Sequence, residues 1–179
     1  TVQVPGQATL TLALAADSPK TNNVYSPSTG TITIPVMKFT ASSTGGSSKI
    51  KKLAIDITSA TASRILATTL RLKDGDTVVQ SVTGDNSTVV TFDNFTYTVP
   101  NNITKTFTVE GDYLPIDSTS NTNPTNNHIA RATILATSAN CQFERGDSTL
   151  QNCTVAAALN SKNQYLFRQG VKFELISAT

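Results

Sequence analysis

A chain of 179 residues with 38% hydrophobic content can bury a substantial core, and its net charge of +2 is too small to imply nucleic acid or an anionic membrane as partner. Charged residues make up 15%, against a typical share of about 25%, and Thr, Ser and Asn take their place. With no Trp and little Glu, there is scant material for a sugar-stacking platform or a pair of catalytic carboxylates.

The first fifteen residues, TVQVPGQATLTLALA, alternate. Val2, Val4, Ala8, Leu10, Leu12 and Leu14 share one parity, and mostly polar residues hold the other, the pattern of a strand with one apolar face. Extended, Val2 to Leu14 would span roughly 40 Å at about 3.3 Å per residue, more than one domain usually covers. Pro5-Gly6 divides the run into a leader, Thr1–Val4, and a fuller strand, Gln7–Ala15. Residues 1–15 are read as an N-terminal strand that can be donated to a neighbouring copy, and residues 16–179 as a β-sandwich domain. Three arrangements stay open: donation of the whole stretch, donation of the leader alone, or no donation, with Gln7–Ala15 serving as the first strand of its own domain.

ADSPKTNNVYSPSTG reads as a loop. Thr31–Ser42 alternates around Pro35, which predicts an edge strand, or a bulged strand that switches sheets at Pro35. Ile50, Leu53, Ile55 and Ile57 mark a strand with Lys51, Lys52 and Asp56 outward, followed by a connection over Thr58–Ser63. Asp74-Gly75-Asp76 between two alternating runs predicts a hairpin. After a turn at Gly84-Asp85-Asn86, Thr88–Val99 reads as one long strand with Phe92, Phe95 and a bulge near Asp93-Asn94. Pro100-Asn101-Asn102 turns into Thr104–Asp112, and Leu114–Asn127 is a long polar loop. His128–Ser138 is a strand, Cys141–Phe143 and Leu150–Leu159 form a hairpin, and Tyr165–Phe167 with Val171–Ile176 close the chain. Short strands punctuated by turns, without a convincing amphipathic helix, predict an all-β sandwich of about nine to eleven strands with long polar loops.

KFTASSTGGSSKIKKLAIDI, LRLKDGDTVVQSV and FDNFTYTVPNNITKTFTVEGDY, taken in order, resemble immunoglobulin-like repeat domains of cell-surface and S-layer-like proteins of candidate-phylum bacteria. The likeness covers roughly Thr9–Asp112, and GVKFELISAT resembles a closing strand. Asn101-Asn102 stands where that pattern has a small residue and Gly, and the cysteine pair lies outside the pattern. The resemblance implies an immunoglobulin-like fold and a scaffold or filament role. It supplies no catalytic residues.

Cys141 and Cys153 flank the Arg145-Gly146-Asp147 turn, and two cysteines in an exported domain predict a disulfide. His128 is the sole histidine, and no Gly-x-Ser-x-Gly accompanies it; it reads as a solvated residue at a strand start. Arg145-Gly146-Asp147 matches an integrin-type tripeptide, but Gly and Asp are also good turn formers. Asp74, Asp76, Asp85 and Asp93 lack the spacing of a calcium loop and read as turn chemistry. Lys49, Lys51 and Lys52 read as edge-strand charges that discourage stray pairing. Asn86, Asn94, Asn102 and Asn152 each head a glycosylation sequon. Lys38 and Lys172 raise an isopeptide bond, which their polar parity opposes.

No stretch approaches the roughly 18 apolar residues needed to cross a bilayer. There is no basic region leading into an apolar one. Thr1 lies inside strand-like sequence, and either a removed leader or a cut from a larger protein would fit export, so the expected location is the extracellular cell surface. The chain is expected to be no enzyme, to carry no cofactor or metal, and to avoid nucleic acid and membrane insertion. The expected function is a structural subunit of an extracellular filament, pilus or surface layer that polymerises with its own copies by β-strand addition, through Val2, Val4, Ala8, Leu10, Leu12 and Leu14. The alternative is an adhesion or carbohydrate-binding module of a larger surface protein, with a surface glycan or host-cell receptor as partner.

Overall fold

Alternation governs the first element. Strand β1, Thr9–Leu14, turns Leu10 and Leu12 into the core and Thr9 and Thr11 to solvent. The computed structural model describes residues 7–26, 30–57, 67–83, 88–115, 128–136 and 140–167, and every regular element among them is a strand. β2 (Asn22–Tyr25) and β3 (Ile32–Thr44) follow, then β4 (Ser48–Asp56), β5 (Thr69–Asp74), β6 (Thr77–Thr83), β7 (Val89–Phe92) and β8 (Tyr97–Val99). β9 (Thr104–Tyr113), β10 (His128–Ala130), β11 (Thr133–Ile134) and β12 (Cys141–Glu144) come next. β13 (Leu150–Asn152), β14 (Thr154–Val155), β15 (Leu159–Asn160) and β16 (Gln164–Phe167) complete the described chain.

These strands build an all-β sandwich. The first sheet has the order β14-β1-β3-β9-β5-β6. The second runs β13-β12-β4-β11-β15, with β7 and β8 also paired to β4. A small third sheet, β10-β16-β2, lies beside them. Between the sheets the Phe107 ring of β9 stacks on Phe39 of β3 at 5.3 Å and receives the edge of Tyr97 from β8 at 4.9 Å. Offset and edge-on ring pairs add to plain area burial, so these three rings fix how the two main sheets face. Around them Leu10, Met37, Leu53, Ile55, Leu70, Leu72 and Phe143 are fully buried.

The hairpin at Asp74-Gly75-Asp76 is present. Asp74 pairs with Thr77, leaving a two-residue loop whose positive φ falls on Gly75, where a side chain would be strained. Pro35 marks a bulge, because the register of β3 on β9 shifts between Pro35 and Met37. Asn102 takes φ 58° in the turn after Pro100, a left-handed conformation that asparagine adopts more readily than most residues.

Several long runs break into shorter strands, which brings the described strands to sixteen rather than nine to eleven. Thr88–Val99 is not one bulged strand: β7 and β8 pair separately with β4, and Asn94 at φ 55° interrupts them. His128–Ser138 divides because β10 joins the third sheet and β11 the second. Leu150–Leu159 divides into β13, β14 and β15, of which β14 crosses to the first sheet to pair with β1. The expected loop after β1 contains β2, which pairs in parallel with β16 about 140 residues away. The connection Thr58–Ser63, the turn Gly84-Asp85-Asn86 and the closing run Val171–Ile176 lie outside the described residues.

Candidate assembly edge

β1 sits in its own sheet. It pairs antiparallel with β3 from Thr9–Thr44 to Leu14–Phe39, and Ala8, Leu10 and Leu12 join the core of their own chain. Leu14 leaves the apolar face predicted for it and is 39% exposed. The reason is positional: the strand ends there, and the buried place just beyond goes to Ala15. Val2 and Val4 lie outside the described residues.

Three contacts hold the first described residues, Gln7 and Ala8. The Arg145 guanidinium donates through Nε to the Ala8 carbonyl at 2.9 Å. Gly45, at φ +74°, passes so close that a Cβ would meet the Gln7 carbonyl oxygen at 2.7 Å. Gly46 packs against Ala8. On the outer side of β1, the two-residue β14 covers Thr11 and Leu12 in parallel. β14 is held in turn by the Cys141–Cys153 disulfide, whose Cα atoms are 5.3 Å apart. The predicted bond is thus present, and it ties β12 of the second sheet to the strand that flanks β1.

β3 is longer than its partner on this side. β9 pairs with it from Ser42 to Ile32, whereas β1 reaches only to Phe39. Ala15 N donates to the Lys38 carbonyl at 3.0 Å and Ser18 Oγ accepts from Lys38 N at 3.0 Å, which closes the ladder. Over Ile32–Met37, no strand among the described residues lies on the side opposite β9. Beside this open length is a cavity of about 530 Å³, lined by Ile34 and Pro35 of β3, Asn22 and Val24 of β2, Pro19 and Gln164. Gln164 is buried, and its amide donates to the Lys20 carbonyl at 2.8 Å, so one wall is held rigidly. Pro35 within a strand was the signal for this edge. Pro19, Asn22 and Val24 lie in sequence that reads as loop.

The outward face beside it is braced by charge. Asp112 accepts from Thr33 Oγ1 at 2.7 Å and from Arg71 Nη1 at 2.7 Å. The Arg71 hydrogen bond, aided by Thr33, holds the Asp112 carboxyl below its ordinary range, although burial opposes this. Thr33 is therefore fixed from the side by a group on the neighbouring strand.

The remaining candidates are structural. His128 is not solvated: it is 5% exposed, because β10 is covered on both faces, and desolvation lowers its pKa. In the Arg145-Gly146-Asp147 turn, Asp147 accepts from the Thr149 N–H at 3.0 Å, and Arg145 is committed to Ala8. Lys49 and Lys51 do not guard an edge, since β4 is central; both pair with Glu144 of β12, at 2.9 and 3.3 Å. Asp74 accepts from Tyr97 and Lys105, Asp76 and Asp93 are exposed, and Asp85 lies outside the described residues. No cluster among the described residues has metal-ligand geometry. Lys38 pairs at the surface with Asp17 at 2.7 Å, and Lys172 is outside the described residues. Asn94, Asn102 and Asn152 are exposed, and Asn86 is outside the described residues.

No family model, curated protein or solved structure matches this chain.

Proposed function

We propose that this chain is a structural subunit of an extracellular filament or surface layer, assembling by β-strand addition between neighbouring copies. The observation that carries the reading is the length Ile32–Met37 of β3, whose flank opposite β9 is covered by no strand among the described residues. Unpaired strand edges are templates for another chain, and proteins usually cover them or blunt them with lysine. This length carries no charge. Strand addition supplies main-chain hydrogen bonds for affinity, and alternate side chains entering pockets give specificity. A cavity beside an open strand suits that mode. A surface built from hydroxyls and amides fits the cell exterior, and so does the disulfide, which persists in oxidising compartments.

Electron microscopy and sedimentation of the purified chain across a concentration series test the reading. Filaments or sheets with a critical concentration are expected. A chain that stays monomeric at every concentration, while binding a glycan or receptor, would establish the adhesion module instead.

A further inference from the structure

We infer that the open half of β3 accepts the N-terminal leader of a second copy, Thr1–Val4, laid antiparallel to β3 and in line with β1. This rests on the strand-addition reading above and gives it a donor, an acceptor and a direction.

The acceptor follows from strand alternation. Lys38 presents its N–H and C=O to the β1 flank. The extra residue at the bulge reverses the parity, so Thr33 and Pro35 face that flank while Ile32 and Ile34 pair with β9. Thr33 thus offers a donor and an acceptor. Pro35 offers an acceptor and has no N–H to leave unpaired, which is why proline is tolerated at such a position. The neighbouring cavity has Lys20 and Gln164 among its walls and, on its apolar side, Ile34, Val24, Pro19 and Pro35, against which small apolar side chains can pack.

The donor follows from length and position. Six residues extend to at most about 20 Å, and Ile32–Met37 has the same span at about 3.3 Å per residue. Val2 and Val4 share the parity of Ala8, Leu10 and Leu12, the face that β1 buries. Residues 1–6 extend from Gln7, which Gly45 and Arg145 hold beside the Thr44 end of β3. The open half is at the other end. From Thr44 to Ile32 is roughly 40 Å along the strand, twice what six residues reach. A chain therefore cannot fill its own edge with its own leader, and donation must pass between copies. The leader leaves one end of the sheet and the acceptor lies at the other, so the contact is head to tail. Such a contact repeats into an open filament unless its rotation closes.

The test uses three forms of the chain: unaltered, lacking residues 1–6, and full length with Val2→Asp and Val4→Asp. Filament formation is followed by microscopy. Exchange of the Thr33 amide is followed by NMR in the truncated chain, with and without a synthetic Thr1–Gly6 peptide. The expected result is filaments from the unaltered chain, none from the truncated chain, and slowed Thr33 exchange when the peptide is added. The double aspartate variant should raise the critical concentration by about tenfold or more, because a carboxylate resists burial where a valine would pack against Ile34, Val24 and the prolines. Unaltered filaments that persist in both variants overturn the leader assignment and leave the filament reading standing. An unaltered chain that never polymerises, with no peptide effect on Thr33, overturns both. A Thr33 amide already slow in the truncated chain, and released when residues 168–179 are removed, shows that the chain covers this edge with its own C-terminal segment and also overturns the proposal.

Discussion

Arg145 Nε donates to the Ala8 carbonyl at 2.9 Å, joining a turn of the second sheet to the first residues of the first sheet across 137 positions of sequence. The contact secures β1 at the end from which the leader extends. Arg145→Ala should cost about 1.5–3 kcal/mol in chemical denaturation, the usual range for a hydrogen bond to a charged group. Hydrogen exchange should quicken at Leu10 before it does at Phe107. Uniform acceleration across the sheet would show that the bond does not act locally.

Gly111 lies beneath the Tyr113 ring. A Cβ there would come within 2.8 Å of Cε2 and of the hydroxyl oxygen, and the ring is fully buried. Gly111→Ala should destabilise by roughly 1–3 kcal/mol through overpacking. In a double-mutant cycle with Tyr113→Leu the two costs should be less than additive, since removing the ring relieves the clash. Additive costs would place the glycine's role elsewhere.

The Cys141–Cys153 bond closes a short loop that holds β14 against β1. Cys141→Ser with Cys153→Ser should lower stability by about 2–4 kcal/mol. The variant should also expose the Leu12 amide to faster exchange, because it faces away from β3 and β14 is its only cover on that side among the described residues. An unchanged denaturation midpoint would refute the structural role.

Stability should fall with acid in two windows. Burial lowers the folded pKa of His128 below its ordinary value near 6.5, so the unfolded chain takes up that proton first. The stability is full above the unfolded value and is lost as pH falls from there through the lower folded value. Asp112 acts in the same direction lower down: Arg71 depresses its folded pKa, so its contribution is held above the ordinary carboxylate value near 3.8 and lost beneath it. Thermal midpoints from pH 8 to pH 3 should show both declines. His128→Gln should flatten the upper one and leave the lower. A decline near neutrality that survives in His128→Gln would show that another group carries it.

Local chemistry decided what the sequence could show by itself. The alternation of Leu10 and Leu12 and of Phe107 and Val109 determined strands with one buried face, because side chains of a strand point alternately to its two sides. Gly75 determined a hairpin, Pro35 announced a bulge, and two cysteines across a turn announced their bond. Partnership was decided only in three dimensions. β2 has almost no buried side chains to give it a pattern, and it exists because β16 pairs with it. Lys49 and Lys51 look like edge charges until Glu144 arrives from β12. His128 looks solvated until β10 is enclosed. The open half of β3 follows from a difference in length between two strands on one flank, since β1 stops at Phe39 while β9 continues to Ile32. Sequence alternation sets which face of a strand is buried; main-chain hydrogen bonds, which carry no side-chain signature, set where its neighbours end.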